Sequence, residues 1–151
     1  MLAMTIHFAN LLLAALLVGA MFAIWLIFNP AGLDGATYMA QQQHGIRTLN
    51  ATMPALGGVT VLLTIVAAVL ARQDHTRLLL LATAAICLIA AGIITRGFNQ
   101  PINAIVMTWS ADSIPADWTR LRDAWWRWHV LRLAAGLGGL SLLIAGAVRR
   151  S

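Results

Sequence analysis

The chain has 151 residues, of which 60% are apolar and only 10% charged. Soluble domains average roughly 45–50% apolar and about 25% charged residues, so this chain has too few polar groups to cover a water-facing surface. An ordinary soluble enzyme and a disordered chain are excluded, and an integral membrane protein is implied. All ten positive residues are Arg and all five negative residues are Asp, giving a net charge of +5. The arginines stand at the ends of apolar runs, where lipid headgroups and loops explain them, so no nucleic-acid partner is expected. The single cysteine, Cys87, lies inside an apolar run and reads as a small core side chain.

A spanning helix needs about 20 apolar residues to cross about 30 Å of hydrocarbon. Four runs meet this, at about 8–28, 53–71, 78–95 and 130–148, within one domain covering 1–151. The first lacks a basic leader and exceeds a signal peptide's apolar core, so it reads as a retained helix. Ala15, Gly19 and Ala23 recur every four residues in it, as do Ala134/Gly138 and Ala135/Gly139 in the fourth. Such spacing lets backbones approach, and packing inside the bundle is preferred over the homo-oligomer it would also serve.

The second connection, 72–77, is a tight turn, whereas 29–52 and 96–128 are long. The expected fold is all-α: an integral membrane up-down four-helix bundle, with both long connections on one face. Short interfacial helices are expected in the first and third connections. Residues 36–50 are good helix formers, and in 117–128 Trp118, Leu121, Trp125 and Trp128 share one side. Five of the six tryptophans fall within 109–128, which suits a helix at headgroup level before the fourth span.

Polar residues gather at this loop face. Arg96, Asn99 and Asn103 share a helical face if the third helix continues. Pro101 favours a break instead, with a new helix capped by Asn99 or Gln100. Trp125, His129 and Arg132 share a face with Trp128 adjacent, and Gln43, His44 and Arg47 form a third patch. Arg132 lies one turn inside the fourth span, with no acidic residue in the third or fourth span to pair with it. One reading is an arginine that snorkels or bonds free carbonyls. The other is a donor cluster of Arg96, Asn99, Asn103 and Arg132 aimed at a ligand oxygen. His7 sits at the opposite end from His44 and His129, and haem spacings are absent, so no metal and no cofactor is expected.

The order of these features resembles the anthrone oxygenase-like integral membrane family. The carriers are Asn29-Pro30, Asn50-Ala51-Thr52-Met53-Pro54, Asn99-Gln100-Pro101-Ile102-Asn103, and the segment from Trp125 through Trp128 and His129 to Arg132. One position departs: His129 stands where the family commonly has Asn. The resemblance implies four membrane helices and, in the family's few characterised members, oxidation of aromatic anthrones by molecular oxygen.

Two functions follow as expectations. The first is a membrane oxidase or oxygenase-like enzyme for a small hydrophobic aromatic or quinone-like molecule. His129, or else His44, would take a proton. Arg96, Arg132, Asn99 and Asn103 would stabilise the resulting anion, with Arg47 nearby and Trp125 and Trp128 stacking on the substrate. The second is a non-catalytic membrane protein that binds a lipid, quinone or partner helix. Expected partners are membrane lipid and a small hydrophobic ligand. The expected location is a bacterial inner membrane. Assigning Arg47, Arg96 and Arg132 to a site rather than to loops places the termini in the cytoplasm.

Overall fold

The computed structural model describes residues 2–149; Arg150, which enters the charge count, lies outside them. Among the described residues the elements are all helical: α1 (Leu2–Ile27), α2 (Gly35–Leu49), α3 (Thr52–Leu70), α4 (His75–Ile94), a π-helical turn (Thr95–Asn99), α5 (Gln100–Val106) and α6 (Trp118–Val148). Four helical segments are long and apolar enough to cross a membrane: Ala3–Ile27, Thr52–Leu70, His75–Val106 and Trp118–Val148.

Local chemistry sets the boundaries. Pro30 follows α1, and Gly32 turns the chain at a φ of 81°. Asp34 then caps α2, its carboxylate accepting from the Thr37 backbone N–H at 2.8 Å and the Thr37 hydroxyl at 3.0 Å. Those bonds hold the Asp34 carboxyl below its ordinary pKa, the backbone N–H of Thr37 contributing most. Asp74 caps α4 in the same way, accepting from the Arg77 N–H at 3.0 Å. Pro54 sits in the first turn of α3, where a missing N–H costs no helical bond.

α1 packs on α3 and α6, and α4 packs on the same two helices. Small residues permit the closest approaches. A Cβ at Gly139 would lie 3.0 Å from Leu88 Cγ and 3.3 Å from the Ala84 carbonyl. Inside the bundle the Thr64 hydroxyl donates to buried Asn10 Oδ1 at 3.1 Å, tying α3 to α1. At the other end an aromatic cluster of Tyr38, Trp109 and Trp125, with Trp118 packed against it, seats α2 on α5 and α6. Tyr38 is buried there, which pushes its phenol above the ordinary range.

Three expectations change. The third helix does not break before Pro101. Its α ladder widens into a π turn in which the Gln100 N–H reaches the Thr95 carbonyl, and α5 follows directly. The wider turn absorbs the residue at which a proline ring would crowd an α-helix. The separate interfacial helix expected over 117–128 is instead the start of α6, a single 31-residue helix. At 1.5 Å per residue such a helix is about 45 Å long and outruns the hydrocarbon by about 15 Å. Last, the α1 stripe of Ala15, Gly19 and Ala23 does not pack inside the bundle. All three are exposed, and nothing lies within 4 Å of a Cβ built at Gly19.

Candidate functional site

The polar groups of the third and fourth long helices meet around one side chain, Trp125. Its indole N–H donates to Asn103 Oδ1 at 2.8 Å, and its backbone carbonyl accepts from Asn99 Nδ2 at 3.1 Å. Its ring stacks on His129 with centroids 5.2 Å apart, and the Arg132 guanidinium lies 5.7 Å from its centroid. The expected convergence of Asn99, Asn103, His129 and Arg132 is therefore present in space. Their roles divide.

Asn103 is a tie. Besides the indole it accepts from Gln42 Nε2 at 3.3 Å and donates to Asn50 Oδ1 at 3.1 Å, fastening α2 and the start of α3 to α5 and α6. Asn99 is fully buried, and its Oδ1 finds no partner. His129 is also fully buried. Its Nδ1 accepts from Arg132 Nε at 3.1 Å and sits 2.9 Å from Nη2. Arginine has only donors, so Nδ1 must carry its lone pair towards Arg132 and the ring proton resides on Nε2. That Nε2 is buried and has no hydrogen-bond partner.

Arg132 also reaches Thr95 Oγ1 at 3.4 Å. Among the described residues no carboxylate forms an ion pair with it. Its guanidinium lies on the wall shared by two cavities. One, of about 80 Å³, lies beneath α2 and is lined by Gln42, Asn50, Asn103 and Trp125 among others. The second, of about 320 Å³, extends between α1, α3 and α4 and is largely apolar. Ile24, Met53, Pro54, Thr95, Gln100 and Arg132 belong to both walls. One end of an apolar hollow thus presents a cationic donor flanked by a hydroxyl and an amide.

Other expected site residues lie elsewhere. Arg96 is exposed at the rim of the larger cavity, with its Nη1 2.7 Å from Gln100 Oε1. Trp128 stacks on Phe98 and lines a separate, more open pocket with Trp126 and Leu131 rather than the two cavities that Arg132 shares. His44 is exposed, and Arg47 is exposed and bonded to Gln43 at 3.3 Å; neither lines the hollow. Thr95, Gln100, Gln42 and Asn50 are among the polar wall residues that sequence spacing missed. Thr95 and Gln100 are the two ends of the π turn's bond, and the extra residue in that turn rotates Arg96 away from the face it would share with Asn103.

Among the described residues the protein is all-helical, with four helices of membrane length and a polar group at one end of an apolar hollow. Residues 43–142 match the family described as Anthrone oxygenase, and the chain belongs to that family. No curated protein and no solved structure matches it.

Proposed function

We propose that the protein is a membrane-embedded oxidase or oxygenase-like enzyme acting on a small hydrophobic aromatic or quinone-like molecule. One observation carries this reading: Arg132, held by His129 and Thr95 and lacking a carboxylate partner among the described residues, forms the polar end of the apolar hollow. A cation inside a membrane span is costly unless an anion or dipole answers it, and a ligand oxygen supplies that answer. For an anthrone, the oxygen bound at Arg132 would become the enolate oxygen when a ring-carbon proton is lost. The electron-rich carbon then reacts with oxygen. One oxygen atom becomes the new ketone and the other leaves in water.

In this reading the proton acceptor is not His129. The lone pair of His129 is engaged by Arg132, and neither cavity wall carries His, Asp, Glu or Cys among the described residues. Stabilisation of the anion by Arg132, with loss of the proton to water, replaces a histidine base in this reading. The same absence supports a second reading, a non-catalytic protein that holds a lipid or quinone by its oxygen.

The side-chain pairings Asn10–Thr64, Leu17–Gly57, Leu81–Gly146 and Thr95–Arg132 support an up-down bundle, in which successive spans run antiparallel. Helical spans suit an inner membrane rather than an outer-membrane barrel. Exposure changes the orientation argument. Arg47 and Arg96 are exposed and count as loop charges with Arg120 and Arg127. The positive face is then the loop face, which we place in the cytoplasm with the termini opposite, reversing the expectation above.

Oxygen uptake by purified protein given an anthrone tests the function. Uptake above that of the His129→Ala/Arg132→Ala double variant supports the enzyme. Uptake equal to the variant's, with a quinone or lipid co-purifying, supports the binding protein.

A further inference from the structure

The larger cavity is walled on its inner side by buried Leu17 and Met21 of α1 and Leu88 and Ala91 of α4. On its other side its lining residues are Gly58, Ile89, Gly92 and Arg96, all exposed. The hollow therefore runs from the bundle interior to the outer surface between α3 and α4. The residues around that mouth include exposed Val59, Leu62, Ile89 and Ile93, so it opens onto hydrocarbon within two candidate spans rather than onto water.

Two glycines stand in this mouth, and neither packs against a neighbour. Glycine in a membrane helix ordinarily lets a neighbouring backbone approach, as Gly139 does against α4. At Gly58 and at Gly92 an added Cβ would meet nothing within 4 Å. Glycine is among the poorest helix formers, and here it brings no close contact within the chain in return. What its missing side chain leaves is open space at the entrance to a cavity whose far end is Arg132.

We propose that Gly58 and Gly92 frame a lateral portal, through which a flat apolar ligand bearing an oxygen acceptor passes from the bilayer core to Arg132. The ligand class rests on the function proposed above, but the portal does not require turnover. Ile24, Met53 and Pro54 line both cavities and guide the ring system past α3. Thr95, Gln100 and Arg132 then meet its oxygen. Gly58 and Gly92 are specificity-determining residues, because any side chain there narrows the entrance.

The test uses full-length protein in lipid bilayer discs and the photoreactive quinone 2-azidoanthraquinone. After illumination, label is mapped by mass spectrometry, with and without excess unlabelled anthraquinone. The wild type is expected to show competable label on the peptides containing Thr95, Gln100 and Arg132. In Gly58→Leu/Gly92→Leu the rate at which that label appears should fall at least about tenfold, about 1.4 kcal/mol on the entry barrier. The outward-facing control Gly19→Leu should label as the wild type does. Thermal melting of each variant separates a blocked entrance from a damaged fold. If the double leucine variant melts early, Gly58→Val and Gly92→Val singly must give graded loss. Undiminished labelling in the leucine variants overturns the portal. So does a wild type without competable label, or a change in oligomeric state with labelling retained, which would make the glycines a contact between copies. An absence of oxygen uptake alongside portal-dependent labelling would instead count against the proposed enzyme.

Discussion

The indole N–H of Trp125 donates to Asn103 Oδ1 across 2.8 Å, joining α6 to α5 where both leave the membrane-length bundle. The same amide oxygen receives Gln42 of α2, and the amide nitrogen holds Asn50 before α3. Four segments of the chain are thus fixed by one side chain. Asn103→Leu should leave the indole N–H without its acceptor and release both other ties. An unsatisfied buried donor costs about 1–3 kcal/mol, so the variant should melt earlier in detergent. Trp125→Phe keeps an aromatic ring beside His129 and removes only the donor, and should lose less. A variant pair with equal, undiminished melting temperatures would show that the tie contributes nothing.

The Arg132–His129 contact makes a different prediction. His129 lines neither cavity but accepts two guanidinium contacts, at 3.1 Å and 2.9 Å, and this geometry predicts that it acts by positioning Arg132. Asparagine also offers an acceptor. His129→Asn should therefore retain quinone affinity within about threefold, whereas His129→Leu should lose about tenfold, or about 1.4 kcal/mol. Arg132→Ala should lose at least as much. Equilibrium binding separates these, and melting temperature controls for the fold. Equal affinity in His129→Leu and the wild type would remove the positioning role.

The membrane-length helices were legible because long apolar runs mark them, although the third continues past Arg96 and the fourth begins before Arg120. The polar cluster was legible in part: Asn99, Asn103, His129 and Arg132 stand at helical spacing, and α-helical geometry brings them towards Trp125. The cavity wall was not legible. A π turn over Thr95–Asn99 adds a residue to one turn, which spacing rules based on an α-helix cannot register, so Thr95 and Gln100 replaced Arg96 on the wall shared by both cavities. The outward direction of Ala15 and Gly19 was equally hidden, since small-residue spacing marks a helix face without saying what it faces.

Asp34 provides a pH-dependent local test. Its folded carboxyl is held below the ordinary value by the Thr37 backbone N–H and hydroxyl. A depressed carboxyl contributes stability above its unfolded pKa and loses it as pH falls through the folded value. Amide exchange near the start of α2, corrected for the intrinsic pH dependence of exchange, should be slow at neutral pH and rise on acidification below the ordinary aspartate range. Asp34→Ala should show the raised exchange at every pH. A wild type whose protection is constant across that range would show that the cap does not hold α2.

Gly139 tests the packing that sets the bundle's inner dimensions. A Cβ there would lie 3.0 Å and 3.2 Å from two carbons of Leu88 and 3.3 Å from the Ala84 carbonyl. The Leu88 side chain can shift, but the carbonyl belongs to the backbone of α4 and cannot retreat without moving the helix. Overpacking of this kind costs about 1–3 kcal/mol. Gly139→Ala should therefore lower the melting temperature in detergent even though alanine is the better helix former. Gly138→Ala is the matched control, because its Cβ would meet only Cys87 Sγ, at an ordinary 3.9 Å. It should melt at or above the wild type. Equal stability of the two alanine variants would mean that α4 and α6 are not held as closely in solution as the Leu88 and Ala84 distances require.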